Sequence, residues 1–204
     1  MILSLPNRLA SLMLHPCSAS LRRAFCALLL LGLLAIAGPL CAATPDVRIL
    51  IDVSGSMRQT DPQNLRVPAL RLVNELLPAG AEAGNWLFAE KIEVLTPPGK
   101  VDEKWKTRTR ARLDRIHSRG LFTDIEQAIA TATAGWDKAD ETRERHLILL
   151  TDGLVDVSKE ADKSVASRAR IVGEQMERLK AANVKVHGIA LSDQVDTQLM
   201  RLLA

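Results

Sequence analysis

Asp52, Ser54 and Ser56 place three oxygen side chains at alternate positions, directly after the apolar run Val47–Ile51. A buried strand that ends in a carboxylate and two hydroxyls is arranged for something other than packing. Oxygen-only donors suit a hard divalent cation, Mg²⁺ or Mn²⁺, and no His or Cys stands nearby in the chain to favour zinc. Such a cation needs further oxygens. Two candidates lie far along the sequence: Thr123, in Gly120-Leu121-Phe122-Thr123-Asp124, and Asp152, in Leu150-Thr151-Asp152-Gly153. Each residue also has a plainer reading. Ser54 and Ser56 beside Gly55 are ordinary turn formers. Thr123 followed by Glu126 fits a helix capping box, and Asp152-Gly153 is a common turn pair.

The elements that must position these residues follow from hydrophobic periodicity. Val47–Ile51 and His146–Leu150 are short apolar runs suited to buried strands, and Val184–Leu191 is a third. Asn85–Ala89 and Ile92–Leu95 read as a hairpin around Glu90-Lys91, stopped by Pro97-Pro98-Gly99. Helical spacing predicts an amphipathic helix through Val67, Leu70, Val73, Leu76 and Leu77, ended by Pro78-Ala79-Gly80. It also predicts a polar, basic helix over Asp102–His117 and another over Asp124–Trp136. A long helix carries Val165, Val172, Met176 and Leu179 to about Ala182, and a last one begins at Gln194 and runs to Ala204. Strands alternating with helices imply a doubly wound α/β domain, with a mostly parallel sheet flanked by helices on both faces. Ligands of such folds bind beyond the carboxyl ends of the strands, where strand order reverses. Asp52 and Asp152 each close a strand at that edge, so neighbouring strands would bring the two carboxylates together.

Asp52-x-Ser54-x-Ser56, with Thr123 and Asp152 following in order, resembles the metal-ion-dependent adhesion site (MIDAS) of the von Willebrand factor type A (VWA) family. The resemblance covers the chain from about Asp46 onward and rests on three separate segments. It implies the Rossmann-like VWA fold with one antiparallel edge strand. It further implies that Ser54 and Ser56 ligate Mg²⁺ (or Mn²⁺) through their hydroxyls, with Asp52, Thr123 and Asp152 acting directly or through water. The open coordination position would take a Glu or Asp of a partner protein. In the family, a helix, an edge strand and a closing helix usually follow the strand matching Val184–Leu191. This sequence ends within the first of these helices, so the resemblance implies a VWA domain over residues 44–204 whose C-terminal strand and helix are missing. Val184–Leu191 would then be an exposed edge.

Composition separates the first 43 residues from the rest. They contain no Asp or Glu, carry Arg8, Arg22 and Arg23, and pass through the apolar run Ala24–Ala37 to Gly38, Pro39 and the small residues before Thr44. A basic flank, an apolar core and a small-residue end describe a signal peptide cleaved after Ala43, with an uncleaved N-terminal anchor as the alternative. Export to the periplasm or cell envelope is the expectation. Cleavage would remove three of the 27 basic residues and none of the 24 acidic ones, leaving 24 of each and a formally neutral domain. The basic balance therefore argues for no nucleic-acid partner, and membrane contact is expected only if the N-terminal segment is retained. Cys17, Cys26 and Cys41 would leave with that segment, so the domain has no thiol nucleophile or thiolate metal site.

The remaining candidates carry less. His117, His146 and His187 lack paired-ligand spacing and read as packing or surface residues. The eight Lys and Arg of residues 100–119 suit a solvated helix face. Trp105 and Trp136 read as core residues, and Asp124 and Asp156 as neighbours that tune the site. The function these features favour is a metal-dependent protein-binding module for adhesion or scaffolding, not an enzyme. One alternative is a Mg²⁺-dependent phosphatase-like hydrolase, although Ser54 occupies the position where haloacid-dehalogenase-like enzymes carry a second Asp. Another is an accessory subunit of an ATPase- or chelatase-type complex, which an export signal disfavours.

Overall fold

A computed structural model describes residues 43–203 apart from 153 and 192–195. The expected signal peptide, Ala43 apart, lies outside the described residues. Five strands form one sheet: β1 (Thr44–Asp52), β2 (Glu82–Phe88), β3 (Ile92–Lys100), β4 (Arg143–Thr151) and β5 (Val184–Ala190). Their order is β3-β2-β1-β4-β5. β1 runs parallel to both β2 and β4, and β4 parallel to β5, while β3 is the antiparallel edge. The chain builds outward from β1 on one side through β2 and β3, then crosses to the other side for β4 and β5. The reversal between β1 and β4 is where a doubly wound sheet opens a crevice at its carboxyl edge.

β1 is buried along most of its length because it is central and covered on both faces. Val47, Ile49, Ile51 and Val53 point to one face, where they pack with Leu70 of helix α2 (Arg66–Leu76) and Trp105 of helix α3 (Glu103–Arg110). A single helical turn, α1 (Met57–Thr60), precedes them. Leu50 points to the other face, against helix α4 (Ile125–Ala132), the π-turn Ile171–Gln175 that follows helix α5 (Ala161–Arg170), and helices α6 (Met176–Ala181) and α7 (Thr197–Leu203), represented there by Ile129, Ile171, Met176 and Leu199. Trp105 and Trp136 are both core residues, as expected. Among the described residues no helix is long and apolar enough to cross a membrane.

Several boundaries differ from the sequence expectation. β3 continues through Pro97-Pro98-Gly99 to Lys100. As an edge strand it has only β2 as a partner, and register shifts near Asn85 let the prolines pass without breaking the pairing. The basic helix ends at Arg110, and Leu113–Arg115 form a 3₁₀ turn instead. Three-residue repetition aligns Leu113 with Ile116, and both are buried. The helix expected over Asp124–Trp136 stops at Ala132, where Thr133 turns its hydroxyl onto the Ile129 carbonyl at 2.6 Å and Gly135 takes φ +83°. The long helix to residue 182 forms, interrupted by a π-turn at Ile171–Gln175.

Candidate metal-binding site

Asp52 ends β1 with its side chain fully buried. Its Oδ1 accepts the Ser54 amide at 2.8 Å, and its Oδ2 accepts the Thr151 hydroxyl at 2.6 Å across the β1/β4 junction. Burial raises its pKa from 3.8 to about 6, against the lowering effect of the hydrogen bonds from Ser54 and Thr151; the charge of Asp152 raises it further. Ser54 is buried and Ser56 exposed, and their hydroxyl oxygens lie 3.0 Å apart. Met57, fully buried, plugs the loop directly after Ser56.

Thr123 reaches the site on a loop tied down at each step. The Gly120 amide donates to the Val53 carbonyl at 3.0 Å, and a Cβ on Gly120 would meet the Ala89 Cβ at 2.2 Å, so only glycine fits there. The Glu90 carboxylate accepts the Leu121 amide at 2.7 Å, which holds it below the usual carboxylate range. Thr123 then forms an antiparallel bridge with Asp156, its amide donating to the Asp156 carbonyl at 2.5 Å and its carbonyl accepting in return at 3.2 Å. The capping-box reading of Thr123 does not hold. Asp124 caps α4, accepting the Gln127 amide at 2.9 Å.

Asp152 follows β4 directly and is 6% exposed. Its Oδ2 accepts the Thr60 hydroxyl at 3.1 Å. Ser56, Gln59, Thr60, Thr123, Asp152, Leu154 and Asp156 line an open pocket of about 180 Å³ at the carboxyl edge of the sheet. Asp52 and Ser54 join it from beneath through the Ser54–Ser56 hydroxyl contact. Of the five residues singled out from sequence, Ser56, Thr123 and Asp152 line this pocket, Ser54 touches Ser56, and Asp52 accepts the Ser54 amide. The structure places Asp156 beside the site, as expected, and adds Thr60, which sequence reasoning did not single out. Thr60 was detectable in principle, since it stands one helical turn after Ser56 and shares its face.

The donor set fits a small hard cation. Octahedral Mg²⁺ takes oxygens at about 2.0–2.1 Å, which sets adjacent ligands about 3 Å apart, and the two serine hydroxyls already stand at that separation. The carboxylates of Asp52 and Asp152 accept from amide and hydroxyl groups, and among the described residues neither is ion-paired with a Lys or Arg. The described histidines are elsewhere. His146 and His187 face each other across β4 and β5 with ring nitrogens 3.1 Å apart, and His117 lies beside a separate pocket next to Glu90.

The model of the von Willebrand factor type A domain matches residues 46–204. The chain belongs to the VWA family. Members of this family are generally interaction modules. Among curated proteins, none matches the sequence. A solved von Willebrand factor type A protein from Catenulispora acidiphila is 22% identical, with a TM-score of 0.63 over 80% of this chain and 37% of its own. Proximal thread matrix protein 1 of the mussel byssus, solved with a zinc-occupied MIDAS motif, is 16% identical with a TM-score of 0.58, over 80% of this chain and 42% of its own. Manganese-loaded TRAP protein of Plasmodium vivax is 17% identical with a TM-score of 0.57, over 81% of this chain and 64% of its own. The chain spans about two-fifths of the length of the first two. At these identities the likeness establishes the VWA fold, with the doubly wound sheet and antiparallel edge strand expected from sequence.

Proposed function

We propose that this VWA domain binds a divalent cation, Mg²⁺ or Mn²⁺, and uses it to hold a partner protein through an acidic side chain, as an adhesion or scaffolding module. The observation that carries the reading is the paired serine hydroxyls 3.0 Å apart, next to two buried carboxylates that form no direct ion pair among the described residues. Ser54 and Ser56 would hold the ion through their hydroxyls, and Asp52, Thr123 and Asp152 directly or through water. Such an ion supplies an electrophilic centre for an incoming carboxylate. The chain's own contribution is to present neutral hydroxyls that bind the ion without quenching it, and to keep Asp52 dry beneath it. Solved VWA domains with zinc and manganese bound support a divalent ion.

The pocket lining favours binding over catalysis. Its described residues include no Lys, Arg or His to stabilise a phosphoryl group or move a proton, which weakens the phosphatase-like alternative. The apolar, acid-free N-terminal segment supports a setting in the periplasm or cell envelope. The test is capture of envelope proteins on the immobilised domain with Mg²⁺ and with EDTA. The reading expects a partner retained only with Mg²⁺ and lost with Asp152→Ala; equal retention in EDTA would contradict it.

A further inference from the structure

Arg66 is the largest charged side chain buried without any exposure, and packing does not require a charge there. A buried ion pair contributes little net stability over well-packed apolar residues. Its hydrogen bonds show a different use. Nη1 donates to the main-chain carbonyl of Asp52 at 2.5 Å, and Nε to Asp61 Oδ2 at 2.9 Å. Nη2 donates to Asn64 Oδ1 at 2.8 Å and to Ser118 Oγ at 2.7 Å. Asp61 in turn accepts the amides of Leu65 and Arg66 at 2.7 and 3.2 Å, fixing the start of α2. Arg58, two residues past Ser56, donates to the Ser118 carbonyl at 2.8 Å.

We propose that Arg66 is a positioning residue that holds the metal-site loops in binding geometry before the cation arrives. One planar fork joins the end of β1 that carries Asp52, the turn that follows Ser56, and the segment at Ser118 that leads through Gly120 to Thr123. Arginine suits this task because its donors are rigidly arranged, whereas a lysine ammonium is a flexible point charge. The fork grips the Asp52 carbonyl and makes its direct ion pair with Asp61, so neither Asp52 carboxylate oxygen is taken up by a guanidinium hydrogen bond. The inference rests on the metal-binding reading above.

The test titrates Mn²⁺ by calorimetry into the full chain, into Arg66→Lys and into Ser118→Ala, beside the melting temperature of each in EDTA. Arg66→Lys keeps the charge and loses the fork, and should weaken Mn²⁺ binding about tenfold or more. Ser118→Ala cuts a single link and should weaken it about threefold while melting near the wild-type temperature. Wild-type Mn²⁺ affinity in both variants, whatever their melting temperatures, would reduce Arg66 to a structural role and overturn the proposal. Should Arg66→Lys fail to fold, Ser118→Ala decides alone, and an unchanged affinity overturns it. If the wild-type chain itself takes up no Mn²⁺, the metal-binding reading has failed, and this inference falls with it.

Discussion

Asp46 and Asp52 stand six residues apart on β1, so alternation points their side chains to the same face of the sheet. Both are buried aspartates, and their surroundings are opposite. Asp46, at the amino end, is gripped by Arg48 at 2.8 and 3.2 Å and accepts the Trp136 indole N–H at 3.1 Å. Arg48 is itself settled, its guanidinium 4.8 Å from the centroid of the Trp136 ring. Asp52, at the carboxyl end, is met by the Ser54 amide and the Thr151 hydroxyl, has no direct ion pair among the described residues, and its pKa rises to about 6. One end of the strand balances its carboxylate with a direct ion pair to an arginine from the same strand; the other has no direct ion pair among the described residues and sits beside two hydroxyls. A carboxylate held by an ion pair and one proposed as a metal ligand differ here in what faces them, since residue type and burial are the same.

This contrast can be broken from either end. Asp46→Ala should destabilise the domain by about 3 kcal/mol, because the part-buried Arg48 loses its carboxylate and the buried Trp136 indole N–H loses its acceptor. Denaturant unfolding measures this, and Mn²⁺ affinity should remain at the wild-type value. Asp152→Ala should reverse that pattern, with Mn²⁺ affinity falling more than about a hundredfold in calorimetry, roughly 2.7 kcal/mol, and little change in metal-free unfolding.

Asp52→Asn is more discriminating. With a folded pKa of about 6 against an ordinary 3.8, the group's contribution to stability is present below about pH 4 and lost as pH rises through 6. At pH 7.5 the native state therefore carries an unfavourable buried charge. The neutral amide should stabilise the metal-free protein by about 2 kcal/mol in the same unfolding assay while abolishing Mn²⁺ binding. The smallest effect is in the pH profile of the wild type. Protons compete with the ion for Asp52, so Mn²⁺ affinity should fall about tenfold per pH unit below about 6, read by calorimetry between pH 5 and 7.5.

Much of this was legible in the sequence. Val47–Ile51 and His146–Leu150 are short apolar runs that suit a buried strand, and Asp52 and Asp152 stand just past them. The order of three oxygen-bearing segments then located Ser54, Ser56 and Thr123. The misses have physical causes. The continuation of β3 through Pro97 and Pro98 depends on its lying at an edge, which is a tertiary fact. The transfer of the helix cap from Thr123 to Asp124 depends on Thr123 being drawn into its bridge with Asp156. Arg66 was invisible because local periodicity marks apolar faces. A buried guanidinium that serves the carbonyl of Asp52 and the hydroxyl of Ser118 leaves no pattern within its own helix. Thr60 was hidden less deeply, by the brevity of α1.

We propose that the carboxyl end of β1 is a divalent-cation site. Its most direct test is calorimetric titration of Mn²⁺ into the chain at pH 7.5, paired with thermal melts in EDTA and in excess Mn²⁺. The account predicts one ion per chain and, at a free concentration about a hundred times Kd, about 2.7 kcal/mol of added stability, seen as a higher melting temperature. No binding heat, together with identical melts in EDTA and Mn²⁺, would contradict it.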